Sequence, residues 1–239
     1  FGIMASVWLV VFSLGYSTGV DAAIVDCTTL PGNLIQASSL EDTSPLPPGY
    51  IPSDTFVGYG YTLYDGYTGL DNWTVLGPIP NSNIAILDFP GIAPHGNRFI
   101  DLSGVDEATA GVDGEQPGSG IEQTVSGLVV GQKYEVAFYH AGTLVTDINV
   151  LLDGVSQGIF TVDPLAPGDM VGSLKWVRQS FTFIATGTST VLTFRNDAVF
   201  GANTEEMDNI SLVAVPPTPT LTTPDATVFA PFITTITFD

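Results

Sequence analysis

Positive charge is almost missing from this chain. Its 239 residues include 5 Lys and Arg against 25 Asp and Glu, a formal net charge of −20. Phosphate contacts need Lys and Arg, so nucleic acid and anionic membrane surfaces are excluded as partners. Cysteine is nearly absent too. Cys27 stands alone, which excludes an internal disulfide and a thiolate metal cluster and leaves a small buried or idle thiol. The two histidines, His95 and His140, share no metal-type spacing and read as solvated or hydrogen-bonded side chains. Long amphipathic stretches of good helix formers are also lacking after residue 23.

Catalytic signatures are missing as well. There is no Gly-x-Ser-x-Gly elbow, no His-Glu-x-x-His and no phosphate-binding glycine loop. Glu205 and Glu206 are adjacent, so an extended strand points them to opposite faces. A glycosidase needs two carboxyls that face each other across the sugar. The sequence therefore predicts a protein that is not an enzyme.

What is present suits a β-rich globular domain. Hydrophobic residues make up 44% and charged residues 13%, which rules out a disordered composition. Abundant Gly, Thr and Val fit an all-β domain with many turns. The acidic excess gives a self-repelling surface that suits an extracellular setting, and its carboxylate oxygens suit Ca²⁺.

Residues 1–16 are apolar and uncharged, and Val20-Asp21-Ala22 offers small residues at signal-peptidase spacing, which bounds a leader of residues 1–22. This predicts the hydrophobic helix of a clipped secretory signal peptide, too short to span a membrane. A pilin-like N-terminal helix is the rival reading, but Ala5 stands where such proteins carry Glu. Membrane contact is thus expected only through this segment.

Period-two patterns fill the body, residues 30–215. Tyr134, Val136 and Phe138 alternate onto one face. Residues 148–152, then Asp153-Gly154, then Val155 read as a hairpin, because Asp-Gly supplies the positive φ angles of a tight turn. Further strands are predicted over 175–184, 189–194 and 209–215. Tyr59, Tyr61, Tyr64, Tyr67 and Trp73 lie among glycines and threonines, either as core aromatics or as a surface for stacking on sugar rings. The segment from Val105 to Gly120 carries four acids amid Gly and Pro and reads as a solvated acidic loop. At 216–224 a Pro/Thr run cannot join a ladder and acts as a linker. Residues 225–239 alternate as a strand and resemble the start of a bacterial immunoglobulin-like adhesin repeat, cut short.

Five spaced motifs carry a further resemblance. Asn33-Leu-Ile-Gln-Ala-Ser-Ser-Leu-Glu41, Asp71-Asn-Trp-Thr-Val75, His95-Gly-Asn-Arg-Phe-Ile-Asp-Leu-Ser-Gly104, Gly120-Ile-Glu-Gln-Thr124 with Gly131-Gln-Lys-Tyr-Glu-Val-Ala-Phe138, and Glu206-Met-Asp-Asn-Ile-Ser-Leu212 occur in that order. Together they resemble the galactose-binding-like jelly rolls of secreted bacterial "choice-of-anchor" proteins and their plant cell-wall relatives. Ala37, Ser38 and Leu40 depart from the usual Asn-Gly and Phe of the opening motif.

That resemblance implies a jelly-roll β-sandwich whose first and last strands run close together. It also implies a structural Ca²⁺ there, held by Glu41, Asp208 and backbone carbonyls. The competing role for the two carboxylates is to accept backbone hydrogen bonds at strand ends. Asp101 is expected to be structural, and Trp73 and Trp176 to be core. Ligand contacts are expected from Tyr61, Tyr64, His140, Arg195 and Asn196. The resulting expectation is a non-catalytic extracellular or cell-surface module that binds a glycan or cell-wall polysaccharide, joined to further domains of the same polypeptide. The alternatives are a structural adhesin, matrix or filament-forming domain, and an accessory domain of a polysaccharide-degrading enzyme.

Overall fold

A computed structural model describes residues 24–41, 60–64, 66–68, 70, 72–77, 83–88, 91–104, 118–142, 145–162, 174–197 and 205–217. The predicted signal helix, the C-terminal strand segment, most of the Pro/Thr linker, Tyr59 and residues 105–117 of the acidic loop lie outside them. Eleven strands are described: β1 Gly60–Tyr64, β2 Thr74–Leu76, β3 Asn83–Asp88, β4 Arg98–Asp101, β5 Gly120–Ser126, β6 Lys133–Gly142, β7 Thr146–Leu152, β8 Val155–Val162, β9 Val177–Ile184, β10 Ser189–Asn196 and β11 Glu205–Ala214. Among the described residues the one helical element is a 3₁₀ turn, Cys27–Thr29.

The strands form two antiparallel sheets packed as a β-sandwich. One runs β1-β3-β4-β11-β6-β9 and the other β2-β5-β10-β7-β8. From β4 to β7, and again from β8 to β11, each strand lies in the opposite sheet to the one before. Such crossings bring distant segments side by side, so the first described residues meet the last ones.

Local chemistry sets the elements. Asp153 (φ 49°) and Gly154 (φ 79°) make the predicted turn between β7 and β8. Tyr134, Val136 and Phe138 all enter the main core, with Ile148, Val150, Leu192, Phe194, Met207, Ile210 and Leu212. Trp73 is fully buried there, its ring 6.1 Å from Phe194. Phe138 joins Phe160 and Phe194 edge to face, the favoured geometry for aromatic pairs. The strand predicted from Lys175 begins two residues later, at Val177. Trp176 leaves the ladder because its indole N–H donates to the Ile92 carbonyl (2.7 Å) and its ring packs on Phe99.

Gly120 fixes the approach of β5 to β10. A Cβ there would lie 2.1 Å from the Phe194 carbonyl oxygen, a backbone atom that cannot swing away. Gly120→Ala should therefore force the two strands apart and cost about 1–3 kcal/mol, the usual range for overpacking. Urea unfolding checks this, and an unchanged midpoint would contradict it.

Candidate functional site

The site grows from an irregularity in β11. Between Asp208 and Ser211 the register against β6 shifts by one residue. Asn209 takes up the extra residue with φ 55°, a left-handed angle that Asn tolerates better than most side chains. Its carboxamide then works in two directions. Oδ1 accepts the Cys27 backbone N–H (2.9 Å) and contacts the Cys27 thiol, and Nδ2 donates to the Val25 carbonyl (2.7 Å). Burial pushes the Cys27 thiol up to about 12, with a further rise from the charge of Asp208, so the thiol stays protonated and is no nucleophile.

The N-terminal segment 24–41 is strapped onto this bulge. Leu34 N–H donates to the Leu212 carbonyl (2.9 Å), Asn33 Oδ1 accepts the Leu212 N–H (2.9 Å), and Ile210 N–H donates to the Ser38 carbonyl (2.8 Å). Gln123 of β5 exchanges two 3.0 Å bonds with the backbone of Gln36. The strap thus ties the six-stranded sheet to the five-stranded one.

Glu41 ends the strap beside the loop before β4. Its Oε1 accepts the N–H groups of Asn97 (2.9 Å) and Arg98 (2.6 Å), and Arg98 Nη1 donates to its carbonyl (3.2 Å). Gly96, at φ +65°, makes this contact feasible, since a Cβ there would come 2.3 Å from the Glu41 carboxyl carbon. Asp208, fully buried, reaches the same loop from β11. Its Oδ2 accepts the His95 N–H (3.0 Å) and its Oδ1 the Asn209 N–H (2.6 Å). Burial raises the Asp208 carboxyl well above the usual carboxylate range and the charge of Glu41 adds to the rise, against the opposing N–H groups of His95 and Asn209. The structure therefore brings Glu41 and Asp208 to one loop, and both accept backbone hydrogen bonds.

Among the described residues no three His, Cys, Asp or Glu side chains converge on one point. A cation here would take the two carboxylates and complete its shell with backbone carbonyls, a hard-oxygen set. His95 stands aside, with Nε2 3.3 Å from Asp26.

The residues expected on a ligand face separate. Tyr61 and Tyr64 lie on the edge strand β1, paired through the backbone with Ile86 and Asn83. His140 does not reach a surface. It is fully buried, its Nε2 is 2.9 Å from the Thr146 hydroxyl, and burial depresses its pKa to about 3. Asn196 is buried as well, on the opposite face of β10 from Arg195, because successive strand residues alternate. Arg195 alone of these three sits on the outer face of the five-stranded sheet. Asp101 is structural, as expected: it is buried, and its carboxylate accepts the N–H and hydroxyl of Ser103. Glu205 and Glu206 are both buried. Alternation sets Glu206 on the side of Asp208 and Glu205 on the side of Met207, so they do not face each other as a glycosidase pair.

Arg195 anchors a network that the sequence did not single out. Its Nε donates to Asp197 Oδ1 (2.8 Å), Asn149 Nδ2 donates to Asp197 Oδ2 (2.7 Å), and the Ser156 hydroxyl donates to Asn149 Oδ1 (2.7 Å). Register places Leu76, Gly120, Arg195, Asn149 and Ile159 in one row across all five strands. Gly120 adds no side chain next to Arg195, and Ile159 at the far end is exposed. The available signal was Asn149 itself, a polar residue between Ile148 and Val150 in an apolar strand.

No family model matches the chain. Over 121 residues it is 33% identical to halomucin of Haloquadratum walsbyi, an alignment that covers 49% of this chain and 1% of halomucin. The chain thus spans about 1% of the length of that relative. Among solved structures, a cyclase from Fischerella sp. TAU aligns over 77% of this chain and 100% of its own at TM-score 0.47 and 15% identity. The CBM22-1 xylan-binding domain of Paenibacillus barcinonensis Xyn10C aligns over 66% of this chain and 94% of its own at TM-score 0.39 and 16% identity.

His140 gives the fold a pH signature. Its ordinary pKa of 6.5 applies when unfolded and about 3 when folded, so its full stability contribution holds above 6.5, declines as pH falls, and is lost below about 3. The decline has a limiting slope of about 1.4 kcal/mol per pH unit. Urea unfolding of the wild type and His140→Gln from about pH 7 to 4.5 should show the stability difference shrinking toward acid. Parallel curves would refute this account.

Proposed function

We propose that this β-sandwich is a non-catalytic carbohydrate-binding module of galactose-binding-like jelly-roll type, carried by a larger secreted or cell-surface protein. The observation that carries the reading is the polar network on the outer face of the five-stranded sheet, where Arg195, Asp197, Asn149 and Ser156 hold one another in fixed geometry. Planar polar groups fixed beforehand recognise ligand hydroxyls without paying to order themselves. Asn149 is almost buried, while the Arg195 side chain keeps 38% and Asp197 25% of its surface open to solvent. The network therefore has a rigid base and a reachable rim. The five ordered motifs of the "choice-of-anchor" resemblance support the same reading, as does the scarcity of cations, which disfavours other large polyanionic partners.

A polysaccharide and glycan array probed with the full chain in the presence of Ca²⁺ tests this. Binding to at least one neutral polysaccharide class is expected. Arg195→Ala and Ser156→Ala should each weaken it by about tenfold, roughly 1.4 kcal/mol, with little change in melting temperature. A blank array would sink the reading.

Glu41 and Asp208 belong to the same proposal as the carboxylates of a structural Ca²⁺. A bound cation would offset the burial cost and mutual repulsion of the two groups. It would fix the loop at 95–98 and the end of the strap rather than touch the ligand. Ca²⁺ at a hundred times its Kd should stabilise the fold by about 2.7 kcal/mol, and Glu41→Gln should abolish that gain. Calorimetry with no binding heat, together with a melting temperature indifferent to chelator, would remove the ion from the account.

A further inference from the structure

Two stretches read Asn-x-Ser/Thr without proline between: Asn72-Trp73-Thr74 and Asn209-Ile210-Ser211. This pattern is the acceptor for N-linked glycans. The structure separates the two.

Asn72 is exposed, in the turn that leads into β2. The turn is closed by Trp73 N–H donating to the Leu70 carbonyl at 2.7 Å. Asn72 adopts φ 70°, and among the described residues its carboxamide makes no hydrogen bond. Thr74 follows on the outer face of β2, opposite Glu122, and is only half-buried. Asn209 is the reverse case. It is 1% exposed, and both ends of its carboxamide are engaged, by Cys27 and by Val25. A sugar on its nitrogen would displace the strap.

We propose that Asn72 is an N-glycan acceptor in the exported chain and that Asn209 is unmodified in the folded protein. The co-substrate is an oligosaccharide linked through its anomeric carbon to a lipid phosphate. The Asn72 Nδ2 attacks that carbon and a C–N bond forms. The C–O bond to phosphate breaks with its electron pair on the departing lipid phosphate, and the amide nitrogen gives up one proton to it. No oxidation or reduction occurs.

Trp73 adds a timing constraint. It is fully buried, so the acceptor tripeptide is an extended, reachable peptide only before the sandwich closes over that ring. A chain modified at Asn209 in that interval cannot seat Asn209 against Val25 and Cys27, whereas a chain modified at Asn72 folds with the glycan in solvent. The glycan then stands beside β2, the outermost strand of the five-stranded sheet, whose outward backbone groups at Val75 are already paired with Gly66 (2.9 Å) and Tyr67 (2.9 Å).

The inference requires export but not glycan binding, and its readout is covalent mass, so it can fail while the binding reading stands. The test is export of the full chain, behind a cleavable leader, from cells that carry an oligosaccharyltransferase. Intact mass and peptide mapping are then read on the folded product beside a control acceptor protein. One glycan on Asn72 is expected. It should vanish in Asn72→Gly, which preserves the left-handed turn, and in Thr74→Val, which preserves the strand, and persist in Thr74→Ser. A folded, exported, unmodified wild-type chain beside a modified control would overturn the proposal, as would a folded chain carrying the glycan on Asn209.

Discussion

Much of this structure hangs on one left-handed residue, Asn209. β11 lies in the middle of the six-stranded sheet, and an unbroken strand there would keep strict alternation. Asn209 inserts one residue, so that Met207 and Ile210, three apart, both enter the core. Asp208, just before the insertion, keeps the alternation and faces the His95 loop, and β4 pairs only with Glu206 and Met207, which leaves the residues after the insertion without that partner. The strap takes over that vacated edge through Leu34, Asn33 and Ser38. First and last described elements therefore complete each other. The cost is kinetic: a ladder closed by residues some 180 apart is a high-contact-order step that needs most of the chain in hand.

Legibility in the sequence followed locality. The β7–β8 hairpin and the strands β6, β9 and β10 could be read because alternation and the Asp-Gly turn are short-range signals. β3 could not. Ile84 and Ile86 face the main core while Ala85 and Leu87 face a second cluster with Phe99, so both faces are apolar and no alternation remains. At the site, Glu41 and Asp208 were legible through their motifs, but their actual partners, the backbone amides of residues 95–98 and 209, depend on a loop that sequence does not place. The ligand face turned on parity. The alternation that sends Tyr134, Val136 and Phe138 inward sends His140 inward too, and Asn196 must oppose Arg195. Asn149 escaped notice because its partner Asp197 lies 48 residues away.

With so few cations, the chain neutralises its acids mainly by other means. Each of the three arginines pairs with a carboxylate among the described residues: Arg98 with Asp88, Arg178 with Glu135 and Arg195 with Asp197. Other acids use backbone N–H groups. Asp26 takes the amide of Thr28, Glu41 those of Asn97 and Arg98, Asp153 that of Val191, and Asp208 those of His95 and Asn209. Those of Thr28, His95, Asn97 and Asn209 sit in a cap, a loop and a bulge, where ladder partners are missing anyway, while Arg98 opens β4 and Val191 lies in β10 beside the β7–β8 turn, before its pairing with β7 begins at Leu192. Irregular backbone is thus the counter-charge of an acidic protein, and the places where β-structure breaks are the places where carboxylates gather.

The same scarcity constrains what the outer face can hold. Arg195 is already matched by Asp197, and Glu122 and Asp147 lie on neighbouring strands of the same face. One guanidinium against three carboxylates leaves the surface negative. A uronic-acid polymer would meet repulsion there and would have to break the Arg195–Asp197 pair to gain a counter-ion. A neutral sugar asks for neither. Its hydroxyls can donate to the free lone pairs of Asp197 and accept from Arg195 without disturbing their bond, and the exposed Ile159 supports an apolar ring face at the end of the row. Charge balance, more than shape, therefore favours neutral over acidic glycans in the proposed role.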